Sequence, residues 1–346
     1  MNVRLLALGT LVGLVFYGCA QNAGSLPAPQ GFSAPAGAAA RNTGQGPTLD
    51  LFDTPSSGSW PEYIVAGPER SMWFSEYYTK KIGRVKMNGK MTEFSLPYGT
   101  DIEDVAIGSD GNIWFTAPGA NQIGRMTPGG VVTTFAINAA NPDPRGITLG
   151  PDGNIWYVEY YDGYIGRVTP QGTITRFAIP EGTSSSPWKI TTGPDGNLWF
   201  TESSMDRIGR FNPNTSSFES SLVVPTKYAT PWGIMTAPDH HIWFTERSGD
   251  KIAEVTSEGK IREFTIAQPT AYPDTIAAGP DGNLWFTENQ ASRIAAIDPK
   301  SGKFGEVLTL ASGTIPTGIA RGPNKNLWIC ISFYSEPMQI GELAFE

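Results

Sequence analysis

The stretch that decides the fold is residues 193–202, Gly-Pro-Asp-Gly-Asn-Leu-Trp-Phe-Thr-Glu, because varied copies of it recur along the chain. Its tryptophan returns at intervals of 41 to 44 residues, at Trp73, Trp114, Trp156, Trp199, Trp243, Trp285 and Trp328. A fixed period in this range is typical of solenoids and propellers. The chain therefore holds seven copies of one structural unit.

Each unit contains four short strand patterns and no stretch of helical periodicity. In the third unit the strands are expected at residues 146–149, 155–159, 164–169 and 173–179. Turn sequences rich in glycine, asparagine and aspartate separate them, and β-branched and aromatic residues fill them. Four antiparallel strands in about 42 residues form one propeller blade. We therefore predict an all-β protein, a seven-bladed β-propeller.

The two ends of the chain indicate how the ring closes. Residues 48–55 resemble the fourth-strand segment 174–180, since both contain Phe-x-x-Pro. The seventh unit stops after its third strand, at residues 340–343. We expect the N-terminal strand, 49–54, to complete the last blade and to leave no open sheet edge. The propeller then spans 48–346.

The first 19 residues are typical of a signal peptide. Residues 5–17 form an apolar run of about 13 residues, too short for a bilayer that needs ~20. Cys19 follows Gly18, which resembles the lipobox of bacterial lipoproteins, although Phe16 stands where that motif prefers leucine. We expect lipidation of Cys19. Ordinary secretory cleavage that discards Cys19 is the alternative.

Residues 20–47 have the composition of a disordered linker. They are rich in proline, glycine and alanine, with Arg41 as the one charge and Phe32 as the one aromatic residue. Such a segment buries too little apolar surface to offset its chain entropy. We expect an exported protein, periplasmic or at the cell surface, tethered to the bacterial envelope by its lipid.

Composition excludes several classes of protein. The formal net charge is −8, from 25 Lys+Arg and 33 Asp+Glu, and no basic run exceeds two residues. A nucleic-acid partner needs a clustered basic surface, so none is expected. The two cysteines, Cys19 and Cys330, cannot form a disulfide framework. We expect a monomer whose contact with a membrane is only through its N-terminal anchor.

One position in each unit varies where its neighbours do not. It lies eleven residues before the repeat tryptophan and is called here the mouth column: Glu62, Glu103, Arg145, Trp188, Trp232, Asp274 and Thr317. Strand order places it, with the residues after Trp-Phe-Thr, at one mouth of the central channel. Variable residues at such a mouth are where a fold can carry a site.

The mouth column predicts a binding site. Blades six, one and two contribute Asp274, Glu62 and Glu103, with Asp104 beside the last, so one half is expected to be acidic. Blades three to five contribute the cationic and aromatic half: Arg145, Trp188, Lys189 and Trp232. A flat or cyclic ligand is expected to stack on the two indoles, which are costly to expose otherwise. Trp60 would add a third aromatic residue.

Three other residue types have structural explanations. His240 and His241 occupy a tight turn on the opposite face, with little prospect of metal binding. A glutamate recurs three residues after the tryptophan in five blades, and we expect it to bond loop amides. Cys330 lies in a second strand and is expected to be a buried, inert thiol.

The units 193–202 and 207–210 (Arg-Ile-Gly-Arg) resemble those of the virginiamycin B (streptogramin) lyase family over about residues 49–346. The resemblance implies a seven-bladed propeller that linearises cyclic depsipeptide antibiotics by elimination at an ester, with a divalent metal, usually Mg²⁺. It also implies catalytic histidines before the Gly-Ile of a first strand. Here those positions hold Arg145, Trp232 and Thr317. The architecture therefore transfers, and the catalytic residues do not.

Two classes of function follow. The first is a propeller that binds a small-molecule or peptide ligand at the channel mouth, without lyase activity. The second is an enzyme, either a divergent carbon–oxygen lyase or a lactonase-like hydrolase with a carboxylate-bound metal. The missing histidines favour the first class, because histidine is the base that best suits neutral pH.

Overall fold

The computed structural model describes residues 46–96, 101–333 and 337–345. The predicted signal peptide, Cys19 and nearly all of the linker lie outside these residues. Within them, no helix has the length and apolarity needed to cross a membrane.

The described chain is built from strands arranged as seven four-stranded antiparallel sheets. The first strand is β1 (Thr48–Asp53). Blade one holds β2 (Pro61–Gly67), β3 (Ser71–Glu76), β4 (Lys81–Lys86) and β5 (Met91–Ser95). Blade two holds β6 (Val105–Ile107), β7 (Ile113–Ala117), β8 (Gln122–Met126) and β9 (Val132–Ala136). Blade three holds β10 (Pro144–Leu149), β11 (Ile155–Glu159), β12 (Tyr164–Val168) and β13 (Ile174–Ala178).

The remaining blades repeat the pattern. Blade four holds β14 (Pro187–Thr192), β15 (Leu198–Glu202), β16 (Arg207–Asn212) and β17 (Ser217–Val223). Blade five holds β18 (Pro231–Thr236), β19 (Ile242–Glu246), β20 (Lys251–Val255) and β21 (Ile261–Thr265). Blade six holds β22 (Pro273–Ala278), β23 (Leu284–Glu288), β24 (Arg293–Ile297) and β25 (Phe304–Thr309). Blade seven holds β26 (Thr314–Arg321), β27 (Leu327–Phe333) and β28 (Gln339–Ala344). Three short 3₁₀ turns lie at Pro68–Arg70, Pro118–Ala120 and Gly182–Ser184.

The repeated sequence forms its turn and its core together, as blade three illustrates. Asp152 accepts hydrogen bonds from the backbone N–H of Asn154 (3.2 Å) and the indole N–H of Trp156 (2.9 Å). Gly153 between them has a φ of 75°, which glycine adopts without strain. The Trp156 ring is fully buried and stacks on Phe177 of the fourth strand at 5.6 Å. The Pro-Asp-Gly-Asn-x-Trp pattern thus fixes both the turn and the packing of the blade.

Apolar clusters join each blade to the next. Trp156 and Val158 of blade three pack in one buried cluster with Leu198 and Phe200 of blade four. The large rings of the repeat therefore serve the interface between blades, where burial of apolar area supplies most of the stabilisation.

The ring closes as the sequence predicts. β1 pairs antiparallel with β28, in register from Thr48 opposite Ala344 to Asp53 opposite Gln339. Phe52 stacks on Trp328 with ring centroids 5.9 Å apart, as the fourth-strand phenylalanine does in other blades. The last sheet thus has the order β1-β28-β27-β26.

Candidate functional site at the channel mouth

In six of the seven blades, a register shift of the β-bulge type lies at the mouth position. In blade four the register shifts between Pro187 and Ile190, so that Trp188 and Lys189 form the bulge. Similar shifts follow Pro61, Pro144, Pro231, Pro273 and Pro316. Bulges redirect side chains and are common beside functional sites, and proline is tolerated where a strand begins. The bulge lets Trp188 line the mouth while Lys189 lines the channel.

In five blades, the hydroxyl at the threonine position of Trp-Phe-Thr-Glu bonds to the mouth column of the next blade. The Thr201 hydroxyl accepts from the N–H of Lys189 (3.0 Å) and donates to the carbonyl of Trp232 (3.1 Å). Equivalent hydroxyls donate to the mouth-column carbonyls of four other blades, from Ser75, Thr116, Thr245 and Thr287. Val158 and Cys330 occupy this position in the remaining two. The mouth column is thereby held at the backbone, which leaves its side chains free to vary.

Five of the seven mouth-column side chains line a cavity of about 230 Å³. Its lining comprises Trp60, Glu62, Tyr77, Tyr78, Glu103, Arg145, Trp188, Trp232 and Arg247. Asp104 and Lys189 lie one residue further inward, along a second cavity of about 160 Å³ in the channel. Asp274 lies buried beside Arg247. The residues that the sequence assigned to the mouth are thus close together, and Trp60 joins them.

The two tryptophans stack on each other. The ring centroids of Trp188 and Trp232 are 3.8 Å apart, with planes at 26°. The Arg145 guanidinium lies 5.0 Å from the Trp188 ring, and that of Arg247 lies 4.2 Å from the Trp232 ring. The two indoles therefore already contact each other and a guanidinium each, and stacking of a ligand on them stays a prediction.

Three cations pair with four carboxylates of the mouth. Arg145 donates to Glu103 (2.8 Å) and to Asp143 (2.9 Å), and Lys189 lies 2.7 Å from Asp104. Arg247 approaches Asp274 at 4.0 Å, where Asn289 also donates at 3.3 Å. The acidic and cationic residues of the mouth therefore contact each other across the blade boundaries.

Burial and charge shift the pKa values of this network. Burial raises the pKa of Glu103, and the charges of Arg145 and Lys189 oppose that rise. Burial lowers the pKa of Arg145, but the carboxylates of Glu103 and Asp143 outweigh it, and the pKa stands above its usual value. Arg145 therefore remains fully charged and bound to its two carboxylates.

Glu62 differs from the other carboxyls of the mouth. Within the described residues its side chain makes no hydrogen bond and no ion pair, and it is partly exposed to the cavity. Burial raises its pKa to about 8, and the negative charges of Glu103 and Asp274 contribute to the rise against Arg247 and Lys189. At neutral pH this carboxyl is mostly protonated.

Sequence reasoning missed several residues of the mouth. Arg247, Tyr77 and Tyr78 directly follow the recurrent glutamate of a second strand, and Asp143 precedes the proline that opens β10. The signal was available, because strand order already assigned the residues after Trp-Phe-Thr to this face. A reading of that position blade by blade would have found them.

The histidines, Cys330 and the recurrent glutamates, for which the sequence suggested structural roles, are either buried or on the face opposite the mouth. His240 and His241 lie in the turn between β18 and β19, away from the mouth. Cys330 is buried, and burial raises the pKa of its thiol well above its usual range, as expected for an inert cysteine. Four of the five recurrent glutamates bond side chains rather than the expected loop amides: for example, Glu159 pairs with Arg176 (2.5 Å), and Glu202 accepts from Ser221 (2.7 Å). Glu246 has no hydrogen-bond partner among the described residues.

Taken together, the fold and the mouth define a seven-bladed β-propeller with a preformed aromatic and ion-paired cavity at one end of its channel. The sequence profile of the Virginiamycin B lyase family matches residues 34–219 and 181–342. The chain belongs to this family.

Solved structures agree with that assignment. A catalytically inactive histidine-to-alanine variant of the virginiamycin B lyase from Staphylococcus aureus, in complex with quinupristin, is 33% identical over 86% of this chain and 99% of its own, with a TM-score of 0.79. A streptogramin B lyase is 32% identical over 87% and 98%, with a TM-score of 0.80. Hydrazine synthase of Kuenenia stuttgartiensis shares only the fold, at 12% identity, 85% and 99% coverage and a TM-score of 0.69. Among curated proteins, no sequence matches.

The divalent cation that the family resemblance implies does not fit the mouth. Magnesium prefers several oxygen ligands in octahedral geometry. Glu103, Asp104 and Asp274 instead face Arg145, Lys189 and Arg247. In the part of the chain that the structure describes, the one set of three ligand atoms within 4.8 Å of one another comes from Asp239, His241 and Glu254, on the opposite face. In that set, Asp239 already accepts a hydrogen bond from Trp243, and Glu254 forms an ion pair with Arg262.

Proposed function

We propose that this protein binds a small-molecule or peptide ligand at the channel mouth and does not perform the lyase reaction of its relatives. The observation that supports this most directly is the absence of histidine from the mouth. The chain has two histidines, His240 and His241, both in the turn of the opposite face. Loss of one histidine accompanies loss of catalysis in the S. aureus relative.

The mouth has the features of a binding site without that base. It combines five aromatic side chains, two guanidiniums and the Glu62 carboxyl, which has no ion pair among the described residues, around a cavity of about 230 Å³. Aromatic and arginine side chains supply most of the binding energy at protein recognition sites. The Trp188–Trp232 stack is formed before a ligand arrives, so little side-chain entropy is lost on binding.

A divergent carbon–oxygen lyase is the second candidate, and one observation favours it. Glu62 lines the cavity with a pKa of about 8 and no ion pair within the described residues. Its carboxylate could accept the proton from the carbon next to the breaking C–O bond, while the leaving oxygen takes a proton from solvent. The activity of such an enzyme would rise with pH up to about pH 8 and level off above it.

We further propose that the propeller works outside the cytoplasm. The signal-like residues 1–19, the lipobox-like Cys19 and the linker 20–47 together support export and tethering to the envelope by a lipid.

Quinupristin provides the test, since a relative's structure contains it. We expect the purified protein to bind quinupristin, measured by calorimetry, and to leave it uncleaved, measured by mass spectrometry. Trp188→Ala should weaken binding by about 2 kcal/mol, because it removes the indole and its stack. His241→Gly, on the opposite face, is the matched control and should bind as wild type does.

Two outcomes separate the candidates. Cleavage that rises with pH and disappears in Glu62→Gln would establish the lyase. Binding that is unaffected by Trp188→Ala would remove the mouth from the proposal.

A further inference from the structure

Most carboxylates of the mouth are already satisfied by the protein's own cations. Glu103 lies 2.8 Å from Arg145, and Asp104 lies 2.7 Å from Lys189. These pairs are largely buried, so a ligand charge would have to displace a guanidinium or an ammonium group to reach either carboxylate. A cationic ligand group would therefore gain little binding free energy at Glu103 or Asp104.

Glu62 is the carboxyl that remains available. It lines the same cavity as Trp60, Tyr77 and Tyr78 and makes no ion pair among the described residues. Tyr78 packs edge-on against Trp60 at 5.5 Å and against Tyr77 at 5.2 Å, which forms an aromatic wall. A carboxylate beside aromatic rings recognises organic cations, since the rings present negative faces.

We infer that the mouth recognises its ligand through one organic cation, an ammonium group seated against Glu62 and the aromatic side chains of Trp60, Tyr77 and Tyr78. This inference rests on the proposed function of the mouth as a binding site. It specifies the charge and the chemical class of the ligand group that binds at Glu62.

A metal ion does not suit the same place. A divalent ion needs several oxygen ligands, whereas Glu62 is a single carboxyl and indole and phenol rings provide no comparable ligands. The cavity volume of about 230 Å³ accommodates an ammonium group with small substituents. The cation at Glu62 is therefore organic.

Binding of a cation should release a proton. The pKa of Glu62 is raised to about 8, first by burial and then by neighbouring anions, so the carboxyl must ionise to pair with the ligand. The charged groups that act on it are Glu103, Asp274, Arg247 and Lys189, and Tyr63, Tyr77 and Cys330 are titratable neighbours. As the pH increases towards 8, the affinity of the protein for the cation should increase by as much as about tenfold per pH unit. Above pH 8 the affinity should level off.

Choline and its uncharged isostere 3,3-dimethylbutan-1-ol are the probes for this experiment. We expect choline to bind at least about tenfold more tightly at pH 9 than the alcohol does, as measured by calorimetry and tryptophan fluorescence. Glu62→Gln should weaken choline binding about tenfold and abolish its change between pH 7 and pH 9. Glu258→Gln, an exposed glutamate on the opposite side of blade five, should leave binding unchanged.

Two variants of Tyr77 test the aromatic side chains of the site. Tyr77→Leu should weaken choline binding while Tyr77→Phe retains it, and circular dichroism must show that each variant, Glu62→Gln included, is folded. Equal binding of choline and the alcohol, no binding of choline at about 10 mM, or displacement of choline by Mg²⁺ would overturn it. If one of these outcomes is found but quinupristin still binds in a way that depends on Trp188, the proposed function stands. Only the inference of an organic cation at Glu62 is then rejected.

Discussion

At the scale of single residues, the buried glutamates after the repeat tryptophan are the most unusual groups of the structure. Glu246 is completely buried, and within the described residues neither of its carboxylate oxygens has a hydrogen-bond partner. Burial raises its pKa to about 8, with a further rise from the charge of Glu263 against Lys251. Glu76 and Glu202, buried at the same position of their blades, have pKa values raised to about 7.

These shifts predict that Glu246 destabilises the fold as the pH rises. Its folded pKa lies above the ordinary value of 4.5, so its stabilising contribution is complete below about pH 4.5 and is lost by about pH 8. Glu246→Gln should therefore gain on the order of 2 kcal/mol relative to wild type between pH 5 and pH 8. Urea unfolding at both pH values measures this change. The exposed control Glu258→Gln should show no such gain, and parallel pH profiles for Glu246→Gln and wild type would contradict the prediction.

At the scale of elements, β1 is the strand whose position matters most to the fold. It comes from the opposite end of the chain and forms the outer edge of blade seven on β28. Without it, the backbone groups of β28 would form an open edge, and the apolar side chains that β1 covers would meet water. Leu49 and Phe52 are among the residues that pack over that blade.

Deletion of residues 49–55 should therefore expose blade seven. We expect aggregation or a large fall in the thermal midpoint, because the open edge of β28 can pair with another chain. Differential scanning fluorimetry and light scattering measure the two effects. Deletion of residues 20–44, in the predicted linker, should change neither, and equal stability of the two deletions would argue against closure by β1.

At the scale of the whole molecule, the proposed lipid anchor would attach the propeller to the membrane. Cys19→Ala should release the protein from the membrane fraction, because a lipidated cysteine would be its one hydrophobic attachment. Fractionation of expressing cells followed by immunoblotting measures the distribution. Cys330→Ala is a suitable control, since that thiol is buried in blade seven. Unchanged fractionation of Cys19→Ala would reject lipidation.

The sequence by itself determined the architecture of the ring. The Pro-Asp-Gly-Asn-x-Trp pattern is local chemistry, since Asp152 bonds residues two and four positions away and glycine permits the turn. Its repetition predicted the blade count and the closing strand, both of which the structure confirms. It also predicted that Glu62, Trp188 and Trp232 face one mouth, because strand order fixes which residues share an end of a sheet.

The contacts across that mouth were decided only by the tertiary structure. Arg145 and Glu103 are 42 residues apart and belong to different blades, and no local rule states whether their side chains meet or turn to solvent. The 3.8 Å stacking of Trp188 on Trp232 likewise depends on the angle between neighbouring blades. The sequence could name the groups at the mouth, but their pairing follows from distances that only the closed ring sets. Among the described residues, that pairing leaves the Glu62 carboxyl of the cavity without an ion pair.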